Sequence, residues 1–185
     1  MLAAAHAGMG EIDGPGRPRE LGRPVAHAYI LRVVAEFQAF VRDLHDLGAE
    51  RMVVLAQPTL ASQPILIAAA TEGRAIDRDN ADARSIESDF RRLGITGLNG
   101  RLQAANPRWA PQNGPSDRAA YQRLIELRNA LAHGNQGQVD RLRSQGTVDT
   151  VTWARRALPS LNRTARALDR VVWHHWRQIF GVDPW

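Results

Sequence analysis

The chain has no cysteine, which excludes a disulfide framework, a thiol nucleophile and any thiolate-ligated metal. It has no lysine either, so all 24 basic residues are arginine. That bias, with the abundant alanine, suits a GC-rich coding sequence as well as it suits a polyanionic partner. Long apolar runs are also missing: the longest, Ile65 to Ala70, falls far short of the roughly 20 residues that span a bilayer. The alanine-rich opening from Met1 to Met9 lacks the basic head and apolar stretch of a secretory signal. A cytoplasmic protein with no membrane partner is the expectation. No stretch alternates apolar and polar residues as a strand would, so the expected class is all-α.

At 185 residues the chain suits one domain with a sizeable core. Residues 1–24 carry glycines, Pro15, Pro18, Pro24 and mixed charge, and read as a flexible segment ahead of a single helical domain over 25–185. From Val25 to Leu47 the apolar positions Ile30, Val33, Val34, Phe37, Val41 and Leu44 recur at threes and fours, and Gly48 reads as the stop. Shorter helices are predicted over about 62–76 and 81–93, with Pro64 near the start of the first. Residues 94–117 are rich in Gly, Pro and Asn and read as a connection. Ser116 or Asp117 then caps a helix that runs to His133, with Gly134 as the residue just past its end. A closing helix is predicted over about 148–180, interrupted or kinked at Pro159. The net charge of +5 favours polyanions only weakly, because the arginines are spread along the chain.

The most informative segment runs from Glu126 to Asn135. Six histidines and 24 arginines in this length give about 0.8 Arg-x4-His matches by chance, so Arg128 and His133 mean little by spacing alone. Arg170 and His175 repeat that spacing without the surrounding chemistry. In a helical projection Tyr121, Leu124, Ile125, Leu131 and Ala132 form an apolar face with Arg128 in its middle. A guanidinium there needs a cleft, an acidic partner or a phosphate, and the plain structural alternative is a salt bridge to Glu36 or Asp43. Asn129 and His133 lie four apart and face the same way. At the end of a helix the macrodipole favours the imidazolium, and histidine is the side chain that exchanges protons near neutral pH. Arg128 and His133 are separated by about 7.5 Å of rise and about 140° of rotation, a divergence that suits two copies of the helix facing each other.

The stretch Leu127-Arg128-Asn129-Ala130-Leu131-Ala132-His133-Gly134 resembles the Arg-polar-x3-His signature of the HEPN superfamily, small all-α domains of which many are metal-independent endoribonucleases. The polar residue after arginine, the small residue before histidine and the glycine after it all agree with it. So does the layout, a long first helix including Ala35 to Leu44, a signature helix in the second half and a long closing helix. The resemblance implies a HEPN-like bundle that cleaves RNA by attack of the 2′-hydroxyl on the adjacent phosphorus. It casts His133 as general acid or base, Arg128 as stabiliser of the phosphorane and Asn129 as a positioning group, with no cofactor or metal. The partners it implies are an RNA substrate, a second copy in a homodimer, and an antitoxin or regulatory protein if the chain is a toxin or defence effector. A non-catalytic RNA- or protein-interaction module of the same fold is the alternative.

Three other constellations read as structural. Trp173-His174-His175-Trp176 places adjacent histidines on different sides of a helix, so they cannot chelate one ion together, and its tryptophans suit packing. Asp77 to Asp82 has acid spacing faintly like a calcium loop but lacks the glycine and terminal glutamate, and reads as a solvated connection. Trp109, in a proline-rich loop, could stack a base but is better suited to packing that loop on the body.

Overall fold

The computed structural model describes residues 19–78 and 80–185, with side chains from residue 22 onward. Every element among them is helical. The first helix, α1 (Arg19–Ala56), buries the expected stripe of Ile30, Val33, Val34, Phe37, Val41 and Leu44. It begins ahead of Val25 and carries Pro24 inside it, so part of the segment read as flexible is helical; residues 1–18 lie outside the described residues.

Gly48 does not stop α1. A Cβ at that position would lie 2.9 Å from Leu93 Cδ1, 3.6 Å from Trp176 Nε1 and 3.7 Å from Val172 Cγ1, so the absent side chain lets three helices approach closely. The helix ends instead where Gln57 turns left-handed, with φ 48°, and Pro58 follows, which cannot continue it.

Around α1 pack α6 (Asp117–Ala132) and the closing helix α8 (Val151–Phe180), and these three share the core. α8 runs through Pro159 without a break, contrary to the predicted interruption. The stretch expected as one helix over 62–76 divides at Gly73, φ 67°, into α2 (Gln63–Thr71) and the single turn α3 (Ala75–Arg78). Next comes α4 (Ala83–Arg92), capped by Asp82, whose side chain accepts from the backbone of Arg84 and Ser85. The region read as a connection contains α5 (Leu98–Ala105), and a further helix unforeseen from sequence, α7 (Gln136–Ser144), buries Val139 and Leu142. A stripe of two side chains is too thin to stand out as periodicity. No helix among the described residues is long and apolar enough to cross a membrane.

Helix α2 contains no charged residue and buries only Ala70. Ile65 and Leu66 face outward, and with Val54 and Leu60 they leave an apolar surface uncovered at this end of the molecule.

Beneath α3 lies a buried polar cluster. Arg74 is 5% exposed and pairs with Asp46 of α1 and, at 2.9 Å, with Asp77 of α3, which also accepts from Arg42 at 2.7 Å. His45 is wholly buried. One ring nitrogen, Nε2, faces the Asp89 carbonyl oxygen at 3.0 Å, and the other, Nδ1, faces Arg74 Nη1 at 3.1 Å. A carbonyl can only accept and a guanidinium can only donate. The proton therefore sits on Nε2 and the ring is neutral. The Asp89 carboxylate accepts from the backbone of Ala75 and Ile76 at 2.9 and 2.8 Å, satisfying the first turn of α3. Asp77 and Asp82, read from sequence as part of a solvated connection, are thus both held, Asp77 by two arginines and Asp82 by the cap of α4.

Burial pushes His45 below its ordinary value, as it does His175, whose Nε2 donates to the Leu93 carbonyl. As pH falls through about 6.5 the unfolded chain takes up protons that these two rings refuse, so stability drops. Asp77, Asp117 and Asp149 are held below the usual carboxylate range by arginine partners that outweigh their burial, and their contribution is lost only below about pH 4. The thermal midpoint should therefore decline between about pH 7 and pH 5, before the carboxylates titrate. A midpoint constant across that interval in scanning calorimetry would contradict the neutral, buried assignment of the two rings.

Candidate functional site

Helix α6 is held firmly at its start. Ser116 caps it by accepting from the Ala119 N–H at 3.1 Å, and its own hydroxyl donates to the Trp109 carbonyl at 2.8 Å. Asp117, 3% exposed, receives a two-pronged contact from Arg163 at 2.8 and 2.7 Å and another from Asn106 at 2.9 Å. Trp109 is buried, with its ring N–H directed at Asn99 Oδ1 at 3.3 Å. It packs the loop and is not available to stack a base.

The buried face of α6 is made by Tyr121, Leu124, Ile125, Leu127 and Ala130, shifted from the projected one. Leu131 is half-buried against the core and Ala132 is exposed. Arg128 lies at the border of the core, half-buried.

Its guanidinium meets neither Glu36 nor Asp43. Glu36 pairs with Arg32, and Arg128 Nη1 donates instead to Asn80 Oδ1 at 2.7 Å and to Asn129 Oδ1 at 3.2 Å. Arg42, Arg74, Arg143 and Arg163 each hold a carboxylate. Among the described residues no carboxylate pairs with Arg128. A half-buried cation faced by two neutral amides keeps its full charge for something else.

His133 occupies the C-cap, exposed, with no side-chain hydrogen bond among the described residues. Gly134 follows with φ 61°. Its N–H returns to the Leu131 carbonyl at 3.2 Å and that of Asn135 to the Ala130 carbonyl at 2.8 Å, the paired closure of a Schellman turn. Asn135 then caps α7, its side chain accepting from Gln138 N–H at 3.0 Å. Gly134 and Asn135 therefore have structural duties, whereas the His133 side chain makes no hydrogen bond among the described residues. Arg128 and Asn129 are brought into contact, and among the described residues no side-chain hydrogen bond joins His133 to either. Asn80, on the connection between α3 and α4, was not suspected from sequence: it lies 48 residues from Arg128, and nothing in its local pattern marks it.

The repeated spacing on α8 is structural. Arg170 donates to the Ala105 carbonyl, and His175 is buried against Gly94 and Leu93. His174 is exposed, and Trp176 is buried beside Gly48, as a packing role requires. Among the described residues no three potential ligands gather to hold a metal ion.

Because no atom crowds Gly134, a methyl group there meets only the intrinsic strain of left-handed backbone. Gly134→Ala should lower stability by about 1 kcal/mol, read by urea denaturation, and a neutral or stabilising result would mean that the turn is not left-handed in solution. Comparison of the chain with protein-family models, curated proteins and solved structures returns no match, so the reading that follows rests on this geometry and on the signature it carries.

Proposed function

We propose that this chain is a HEPN-like, metal-independent endoribonuclease whose working residues are Arg128, Asn129 and His133. One observation carries the reading: the same end of α6 presents a histidine whose side chain makes no hydrogen bond among the described residues and a half-buried arginine faced by two neutral amides, whereas Arg42, Arg74, Arg143 and Arg163 hold carboxylates. In this reading an RNA 2′-oxygen attacks its own phosphorus as its proton passes to an imidazole. The 5′-oxygen leaves with a proton returned by an imidazolium, and the products are a 2′,3′-cyclic phosphate and a 5′-hydroxyl. His133 supplies this exchange. Arg128 offsets the charge that grows on the phosphorane oxygens, and Asn129, by accepting from Arg128 at 3.2 Å, helps to position it. Two copies with their α6 ends apposed would provide an imidazole on each side of the phosphate. Such an enzyme fits a toxin or defence effector restrained by an antitoxin or regulatory protein.

A second reading, a non-catalytic interaction module, is favoured by a different observation. The uncovered apolar surface formed by Val54, Leu60, Ile65 and Leu66 suits partner binding and lies on elements other than α6.

Incubated with structured and single-stranded RNA in excess EDTA, the protein should yield fragments ending in cyclic phosphate and should spare DNA, which lacks the nucleophile. His133→Ala should slow cleavage about 100-fold to 10,000-fold with little change in thermal midpoint. Arg128→Ala should slow it about 100-fold or more. His174→Ala is the control, since His174 is exposed whereas His175 is buried and its replacement would disturb the fold. Mixing the Arg128→Ala and His133→Ala proteins should restore part of the activity if the site is shared between copies. RNA binding without cleavage by the wild type would favour the interaction module.

A further inference from the structure

We infer that Asn80 is a positioning residue, which holds the Arg128 guanidinium by a neutral contact so that its Nε–Nη2 edge stays turned toward a phosphate with its charge uncompensated. The inference rests on the reading above for the reaction, but its geometry stands alone. Nη1 carries two hydrogens, and two amide oxygens take them: Asn80 Oδ1 at 2.7 Å and Asn129 Oδ1 at 3.2 Å. Asn129 is the next residue on the same helix, so its contact moves with Arg128. Asn80 belongs to another part of the fold and is what fixes the plane relative to the body. The remaining edge, Nε with Nη2, is the two-pronged fork that matches the paired oxygens of a phosphate. Among the described residues nothing occupies it.

The choice of an amide is the informative detail. The segment reads Asp77-Arg78-Asp79-Asn80-Ala81-Asp82, so acidic residues dominate it, yet the residue placed on the guanidinium is neutral. Asp77 is committed to Arg42 and Arg74, and Asp82 to the N-terminus of α4. An aspartate at 80 would make the same hydrogen bond with almost the same shape and would add a favourable ion pair. Stability alone would therefore prefer aspartate. An amide is preferred where the cation must be oriented without being neutralised. Asn80 lies between two braced residues, Asp77 held by two arginines and Asp82 by the cap of α4.

The test compares Asn80→Asp and Asn80→Ala in the full-length protein. Thermal midpoints are measured beside cleavage of ordinary RNA and anisotropy of a labelled 2′-O-methyl RNA that binds but cannot be cut. Asn80→Asp should melt at or above the wild-type temperature, bind the 2′-O-methyl RNA several-fold more weakly and cleave about 100-fold more slowly, because the guanidinium is neutralised in place. Asn80→Ala should bind within about threefold of wild type yet show kcat about 10-fold to 100-fold lower, because the charge is kept and its aim is lost. A folded Asn80→Asp protein that binds and cleaves like the wild type would overturn the inference and leave the ribonuclease reading intact. A wild type that binds but never cleaves, with binding still lost in Asn80→Asp, would overturn the ribonuclease reading and uphold the role of Asn80. A wild type that neither binds nor cleaves RNA would overturn both.

Discussion

Burial of the Arg74 guanidinium is the constraint from which the geometry of the candidate site follows. A cation this deep is tolerable only with counter-charge and full hydrogen bonding. It finds these in Asp46 from α1, Asp77 from α3 and the neutral ring of His45. Removing one partner would leave a buried charge unbalanced, so the cluster ties the short α3 to the long α1 and, through Asp89 and its cap on Ala75 and Ile76, to α4. A four-residue helix has little stability of its own. This cluster gives α3, which ends two residues before Asn80, a fixed position.

The end of α6 shows the opposite economy. Its first turn is anchored by Ser116 and by the Asp117–Arg163 pair, and its middle is sealed in the core. Its final residues Ala132 and His133 are exposed, and there Gly134 reverses the chain and Asn135 starts α7. Rigid support at one end and exposure at the other suit a site that must hold side chains in place while admitting a large substrate. Arg128 sits where these regimes meet, held by Asn80 and, among the described residues, paired with no carboxylate.

Much of the fold was legible in the sequence because three helices carry long apolar stripes. The stripe from Ile30 to Leu44 gave the interior of α1, and the capping pair Ser116 and Gly134 bounded α6 to within a residue. What was not legible depended on distant contacts. Gly48 reads locally as a terminator, and only the approach of Leu93, Val172 and Trp176 shows it to be a packing position. Pro159 likewise lies inside a helix whose neighbours outweigh the lost hydrogen bond. At the site, Arg128, Asn129 and His133 could be picked out as a local pattern, and a salt bridge to Glu36 or Asp43 was a fair alternative for a guanidinium near the core. The partner proved to be Asn80, which no helical period relates to Arg128. Ala132 was assigned to an apolar face by projection, yet it is exposed, since periodicity reports which residues share a side and not where the bundle ends.

In our proposal this protein meets RNA at the exposed end of α6, beside Asn80. The most direct measurement is a titration of the wild type with uncleavable 2′-O-methyl RNA, followed through the backbone amide and arginine side-chain NMR signals. The account predicts that the signals of Arg128 Nε, Asn129, His133, Gly134 and the Asn80 side-chain amide move together and saturate at one RNA concentration. Movement confined to α2, around Ile65 and Leu66, with Arg128 and His133 unchanged, would contradict it.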